Sequence, residues 1–160
     1  MNYISLNFEI KLYNNGRFEG KLKNGKKEGI GKFYYNNGDI YEGDWNDNKM
    51  EGKGIYSYNN GNKYEGDIKN NKREGKGIYS YNNGDKYEGD WKNDKMEGKG
   101  IYYYKSGSTY EGDFKNGNLD GTAIFYYNNG DMEMGVWKDG KEIGKHVTLT
   151  KNGEVKTTNY

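Results

Sequence analysis

The sequence predicts an all-β protein, an elongated single-layer antiparallel meander of stacked β-hairpin repeats. Three observations predict it. A period of 23 residues runs through Phe18, Tyr41, Tyr64, Tyr87 and Tyr110 and reaches Glu133, and self-similarity at such a period marks a repeat architecture. Every unit carries hairpin-turn residues at one fixed place. Between the turns, residues such as "YEGDW" (Tyr41–Trp45 and again Tyr87–Trp91) alternate aromatic or glycine with charge, the period-two signature of a strand with two unlike faces.

Composition sets the kind of core. Leu, Ile, Val and Phe make only about 14% of the 160 residues, below the roughly 20% at which a charged chain is suspected of disorder. Net charge is only +1, however, and 18 tyrosines bring the aromatics to 16%. Tyr and Trp bury large surfaces, so a thin aromatic core replaces an aliphatic one. There is no Cys, which excludes disulfides and thiolate chemistry. The opening "MNYISLNFEIKLY" has no unbroken apolar region of a leader, and no segment reaches the ~20 apolar residues of a membrane span. A cytoplasmic protein, peripheral at a membrane if lipid is its partner, is the expectation.

In chain order, residues 1–15 read as a capping strand, with Ile4, Leu6, Phe8, Ile10 and Leu12 alternating. Residues 16–145 hold about six 23-residue units. Asn24-Gly25, Asp47-Asn48, Asn70-Asn71, Asn93-Asp94, Asn116-Gly117 and Asp139-Gly140 recur in register, and such pairs accept the positive φ of a two-residue type I′ hairpin. Taken without a bulge, that turn pairs Trp45 with Met50, Gly43 with Gly52 and Tyr41 with Gly54, and sets Glu42 against Lys53 and Asp44 against Glu51. "NNG" at Asn36–Gly38, Asn59–Gly61, Asn82–Gly84 and Asn128–Gly130, and "KSG" at Lys105–Gly107, join the units as three-residue loops with a left-handed glycine, which keeps Tyr56 opposite Tyr64. The first such loop, Asn14–Gly16, is one residue short. Residues 146–160 read as a closing hairpin. Six units of two strands at ~4.8 Å span roughly 58 Å. Tyr and Trp are expected to lie across glycines of the neighbouring strand, one unit's ring stabilising the next.

These residues resemble the MORN repeat family, whose pattern is roughly Y-x-G-x-W-x6-G-x-G-x3-Y-x2-G. Tyr41, Gly43, Trp45, Gly52, Gly54, Tyr58 and Gly61 fall on it, as do Tyr81, Gly84, Tyr87, Gly89, Trp91, Gly98 and Gly100. Ile68 and Phe114 replace the Trp, and Ala123, Glu133 and His146 depart from it in the last units. Choline-binding repeats also mix Trp, Tyr and Gly but lack the paired "EGKG" glycines. The resemblance implies single-sheet hairpin arrays that attach to proteins, cytoskeleton or membrane, with phosphoinositides among the proposed ligands.

Catalytic chemistry finds no constellation. His146 is the single histidine and reads as a packing or surface residue, since acid–base work needs a positioned partner. Glu42, Asp44 and Glu51 recur identically down the array and read as a solvated face. "DWNDN" at Asp44–Asn48 opens like a calcium loop but carries Lys49 for the turn glycine and Ile55 for the bidentate Glu. No cofactor or metal is expected, and the acidic face argues against nucleic acid.

Two binding surfaces remain. The first is an aromatic groove for a peptide or helix of another protein, lined by Tyr41, Trp45, Tyr56, Tyr58, Tyr64, Tyr79, Tyr81, Tyr87, Trp91, Tyr102, Tyr104 and Tyr110; exposed Tyr and Trp are where hot spots concentrate. The second is a basic rim beside the type I′ turns, Lys49, Lys69, Lys72, Arg73, Lys92 and Lys95 among its members, suited to an anionic, phosphoinositide-containing bilayer. A non-enzymatic scaffold acting through the groove is the first expectation, and membrane attachment through the rim the alternative.

Overall fold

The computed structural model describes residues 8–160; Ile4 and Leu6 of the expected capping strand lie outside the described residues. Fourteen strands pair strictly in chain order in one antiparallel sheet. They are β1 (Glu9–Tyr13), β2 (Gly16–Lys23), β3 (Lys26–Tyr35), β4 (Ile40–Asn46), β5 (Lys49–Ser57), β6 (Lys63–Lys69), β7 (Lys72–Ser80), β8 (Lys86–Lys92), β9 (Lys95–Tyr103), β10 (Thr109–Lys115), β11 (Asn118–Tyr126), β12 (Met132–Lys138), β13 (Lys141–Leu149) and β14 (Val155–Asn159). The described residues hold no helix.

Local chemistry explains the two kinds of connection. Asp47 and Asn48 have φ of 50° and 70°, and Asn70 and Asn71 have 50° and 64°, the left-handed pair that a type I′ turn requires. Between units, Tyr58 N–H donates to Asn62 O at 2.9 Å and Gly61 N–H to Tyr58 O at 3.0 Å, closing the expected three-residue loop. The short first loop is instead a two-residue turn, with Tyr13 opposite Gly16 around Asn14-Asn15.

The register inside each unit differs from the bulge-free expectation. Trp45 does face Met50, but Gly43 faces Gly54 and Tyr41 faces Tyr56, so Asp44 alone opposes Glu51, Gly52 and Lys53. The side chain of Asp44 produces this bulge, its Oδ2 accepting from Lys53 N–H at 2.9 Å. Asp67, Asp90 and Asp113 repeat the bond to Lys76, Lys99 and Thr122. Gly52 sits at φ +74° to turn the chain there, a role only glycine fills without strain. Consequently Glu42 lies opposite Ile55 rather than Lys53, and Lys53 pairs with Asp67 of the next unit.

Adjacent units are stitched at both edges, which is how a repeat array gains stability from its neighbours. At the type I′ turns, Asn71 Oδ1 accepts from Met50 N–H at 2.8 Å, and Glu51 Oε2 accepts from Asn70 N–H at 2.9 Å. At the opposite edge, Asp39 Oδ1 accepts from Asn59 N–H, and Asp85 Oδ1 from Lys105 N–H.

The core sits on one face, over the glycines. Tyr41 lies flat across the Gly43–Gly54 pair, where a Cβ on Gly54 would fall 2.4 Å from Tyr41 Cε2. Its hydroxyl donates to Asp44 O at 3.0 Å, and Tyr64 and Tyr87 repeat this with Asp67 and Asp90. Trp45 Nε1–H reaches Gly31 O at 3.1 Å. Each leading Tyr meets the Trp position of its own unit or the next edge-on: Tyr41–Trp45 at 5.2 Å, Tyr64–Trp91 at 5.3 Å and Tyr110–Trp137 at 5.3 Å. Such edge-on pairs add ~0.5–1.5 kcal/mol each beyond the area they bury.

Candidate functional site

The rings divide into two rows. Phe18, Tyr41, Tyr64, Tyr87 and Tyr110 are fully buried and Trp45 and Trp91 nearly so, so these seven are the structural spine and present nothing to a partner. Outside them, Tyr35, Tyr56, Tyr58, Tyr79, Tyr81, Tyr102 and Tyr104 form an unbroken line with centroids 4.6–5.8 Å apart. These are half-buried, Tyr104 being the most open at 36%. Burial, first of all causes, holds the phenols of Tyr41, Tyr56, Tyr64, Tyr87, Tyr102 and Tyr110 well above the ordinary tyrosine range. All are protonated, uncharged surfaces near neutral pH.

One position caps the spine with a long side chain in successive units: Lys27, Met50, Arg73, Met96 and Leu119. The Arg73 guanidinium stands 4.4 Å from the Trp91 ring, and Lys27 Nζ lies 4.1 Å from Phe33 and 4.4 Å from Trp45. Burial lowers the Lys27 ammonium to about 8, with Lys11 adding repulsion. Arg73 therefore belongs to the core edge, and its guanidinium also holds Asp94 O at 2.7 Å. Of the remaining rim, Lys49, Lys72 and Lys95 donate to Asn70, Asn93 and Asn116 of the following turn at 3.0–3.3 Å, while Lys69 and Lys92 are exposed at their strand ends.

The open concavity lies on the other face. A trough of about 1210 Å³ runs from Glu42 to Met134 along five successive units. Its axis is a single row of cross-strand partners: Glu42 faces Ile55, Ile55 faces Glu65, Glu65 faces Ile78, and the alternation continues through Glu88, Ile101, Glu111 and Ile124 to Met134. Glycine pairs such as Gly66–Gly77 and Gly89–Gly100 form part of its floor. A flanking row is charge-neutral, Lys53–Asp67, Lys76–Asp90 and Lys99–Asp113 making ion pairs at 2.5–2.6 Å. The isoleucines are half-buried and the glutamates exposed.

The sequence pattern points to a groove on the ring face and to a merely solvated Glu face, whereas the concavity opens on the Glu face. The signal that could have found the trough was present: Ile follows every "EGKG" at Ile55, Ile78 and Ile101, in step with Glu65, Glu88 and Glu111. Its meaning depended on the bulge, which sets Ile rather than Lys opposite each Glu.

The sixth unit replaces the ring-over-glycine device. Glu133 stands where Tyr does in earlier units and His146 where glycine does. His146 is fully buried, with Nδ1 2.8 Å from Glu133 Oε1 and Nε2 3.0 Å from Val136 O. Tyr127 Oη donates to Glu133 Oε2 at 2.5 Å, and Trp137 and Tyr160 enclose the imidazole at 4.6 and 4.8 Å. This is a satisfied structural pair that plugs the end of the spine. Among the described residues no three His, Asp or Glu side chains converge to hold a metal ion.

A single open sheet of stacked hairpins, spined by rings on one face and hollowed along the other, defines a repeat scaffold. The chain belongs to the MORN repeat family, whose model matches residues 18–40, 41–63, 64–86, 87–109 and 110–132 in succession. The fold is similar to the TCP domain of SAS-4 (dCPAP) of Drosophila melanogaster, solved in complex with a proline-rich motif of Ana2 (dSTIL), at a TM-score of 0.62 and 14% identity over 98% of this chain and 86% of that one. It is also similar to the TCP10 domain of Danio rerio CPAP with a STIL peptide, at a TM-score of 0.34 and 15% identity over 95% and 83%. No curated protein matches the sequence.

Proposed function

We propose that this protein is a non-enzymatic scaffold that holds an extended segment of another protein, and that the trough is where it does so. The observation that carries this reading is an open, continuous concavity with half-buried isoleucines repeating along it, on a scaffold whose other face spends its largest rings on its own core. A regular array of apolar positions rimmed by polar groups is what extended-peptide recognition uses. The fold neighbour's complex with a proline-rich motif supports the same mode, although fold alone does not transfer function. The outer tyrosine row Tyr56, Tyr58, Tyr79, Tyr81, Tyr102 and Tyr104 is the second candidate surface. Membrane attachment through the rim is the weaker alternative, since Lys49, Lys72 and Lys95 already bond the next turn and Arg73 is folded onto Trp91.

The test is selection of a displayed random-peptide library on the wild-type chain. Enriched peptides are then measured on an Ile78→Lys/Ile101→Lys variant and on a Tyr58→Ala/Tyr81→Ala variant of matched circular dichroism. Binding lost on the first and kept on the second is expected. The opposite pattern would move the site to the tyrosine row.

A further inference from the structure

The trough has a definite repeat length, and it restricts the backbone that can lie in it. This inference rests on the reading of the trough as a peptide site and goes on to the class of peptide. Equivalent residues of adjacent units are two strands apart, ~9.6 Å at ~4.8 Å per strand. A polyproline II helix rises ~3.1 Å per residue with three residues per turn, so one turn advances ~9.3 Å and returns the side chain to the same face. An α-helix fits poorly, because two turns advance ~10.8 Å and drift out of step by more than 1 Å per unit. An extended strand advances ~10 Å in three residues but turns its third side chain to the opposite face. Twist rotates successive units about the array axis, yet the trough stays continuous from Glu42 to Met134.

Charge states what the third residue should be. Glu65 and Glu88 are paired only with exposed lysines two residues back on the same strand, Lys63 at 3.0 Å and Lys86 at 3.2 Å, surface pairs that hold little energy and exchange readily for an incoming cation. The next unit has Thr109 at that place, and Thr122 where Lys53, Lys76 and Lys99 stand in earlier units. Glu111 therefore stands in the trough without an ion-pair partner among the described residues, between Ile101 and Ile124. Immediately beyond, the same row becomes apolar and open, with Met134 at 52% and Val147 at 38% exposure.

We propose that the trough binds a polyproline II segment of another protein that carries a basic residue at every third position, met by Glu65, Glu88 and Glu111, with its proline rings on Ile78, Ile101 and Ile124. Pre-formed polyproline II loses little entropy on binding, which suits a shallow site. The Glu contacts are exposed and individually weak, so affinity comes from register across several units.

The probes are fluorescent (Pro-Pro-Arg)4, its spacing control (Pro-Pro-Pro-Arg)4 with the same charge, and (Pro-Pro-Glu)4, measured by anisotropy on the whole chain. Wild type is expected to bind the first at least about fivefold more tightly than the second and to leave the third unbound. Glu65→Gln/Glu88→Gln/Glu111→Gln should weaken the first by about tenfold, as three exposed charge contacts imply. Thermal melting of the variant checks that the fold is intact, and exposed side chains of this kind tolerate substitution. Equal affinity for the period-three and period-four peptides, or unchanged affinity in the triple variant, overturns the proposal. So does absence of (Pro-Pro-Arg)4 binding. In each of these cases trough-dependent capture from the displayed library would still stand, which separates the two readings.

Discussion

Gly77→Ala tests the device on which the whole array rests, a tyrosine ring lying on a glycine. A Cβ at this position would fall 2.4 Å from Tyr64 Oη and 2.5 Å from Tyr64 Cε2, about 1 Å inside ordinary contact. The ring cannot rise freely, because Trp91 closes over it edge-on at 5.3 Å and its hydroxyl is tied to Asp67 O at 2.7 Å. The chain already contains the outcome in its fifth unit. There Ala123 replaces the glycine, and Tyr110, still fully buried, is left with a hydroxyl that has no hydrogen-bond partner. The expected cost in Gly77→Ala is therefore the orphaned hydroxyl, ~1–3 kcal/mol, plus local overpacking of similar size, together about 2–6 kcal/mol. Gly29→Ala is the control: its φ is +67° but nothing lies within 4 Å of the added carbon, so only the backbone strain of about 1 kcal/mol applies. Urea unfolding followed by the fluorescence of the three tryptophans measures both. In a Tyr64→Phe background the Gly77→Ala cost should fall by roughly the hydroxyl share, a coupling read from the double-mutant cycle. Equal costs for Gly77→Ala and Gly29→Ala, with no coupling to Tyr64, would refute the ring-on-glycine account.

Alkaline pH should unfold the array steeply. Unfolded tyrosines lose their protons near pH 10, whereas burial raises Tyr41, Tyr64, Tyr87 and Tyr110 above that in the folded state. Their contribution is complete below pH 10 and is lost as pH rises further, at ~1.4 kcal/mol per pH unit for each ring. Phenolate absorbance should rise in step with loss of the sheet's circular dichroism, and tyrosine titration centred on pH 10 with the sheet intact would count against it. At the C-terminal end, His146→Ala should destabilise by about 3–5 kcal/mol, because it empties a fully buried site and takes away the hydrogen bond to Glu133 Oε1, leaving that carboxyl with the Tyr127 hydroxyl alone. The double change Glu133→Tyr/His146→Gly restores the ring-over-glycine pair and should recover most of that loss in urea unfolding followed by tryptophan fluorescence. A double variant no more stable than the single one would show that the sixth unit is built differently from the others.

Much of the molecule was legible in the order of residues. Asp47-Asn48 and its equivalents announce their turns because their side chains tolerate positive φ, a property local to two residues. The "NNG" loops, the strand alternation and the Tyr56–Tyr64 pairing follow from equally local rules. The period of 23 residues then places every unit beside the next, so the meander itself needed no tertiary information. What the tertiary structure decided begins at Asp44. Its carboxylate takes Lys53 N–H and pushes Gly52 into a left-handed bend, so two extra residues enter one strand and every pairing beyond the bulge moves by two. That single event sets Glu opposite Ile, gives the rings a bed of paired glycines and makes the trough an alternating row. Which rings are core and which are surface was likewise settled by contact between units: Tyr64 is fully buried against Trp91, whereas Tyr79, at another place in the repeat, meets the same ring at 6.0 Å and stays half-open. Side-chain alternation assigns a residue to a face, but burial and concavity are properties of neighbours several strands away, and those distances are set only when the sheet closes its hydrogen bonds.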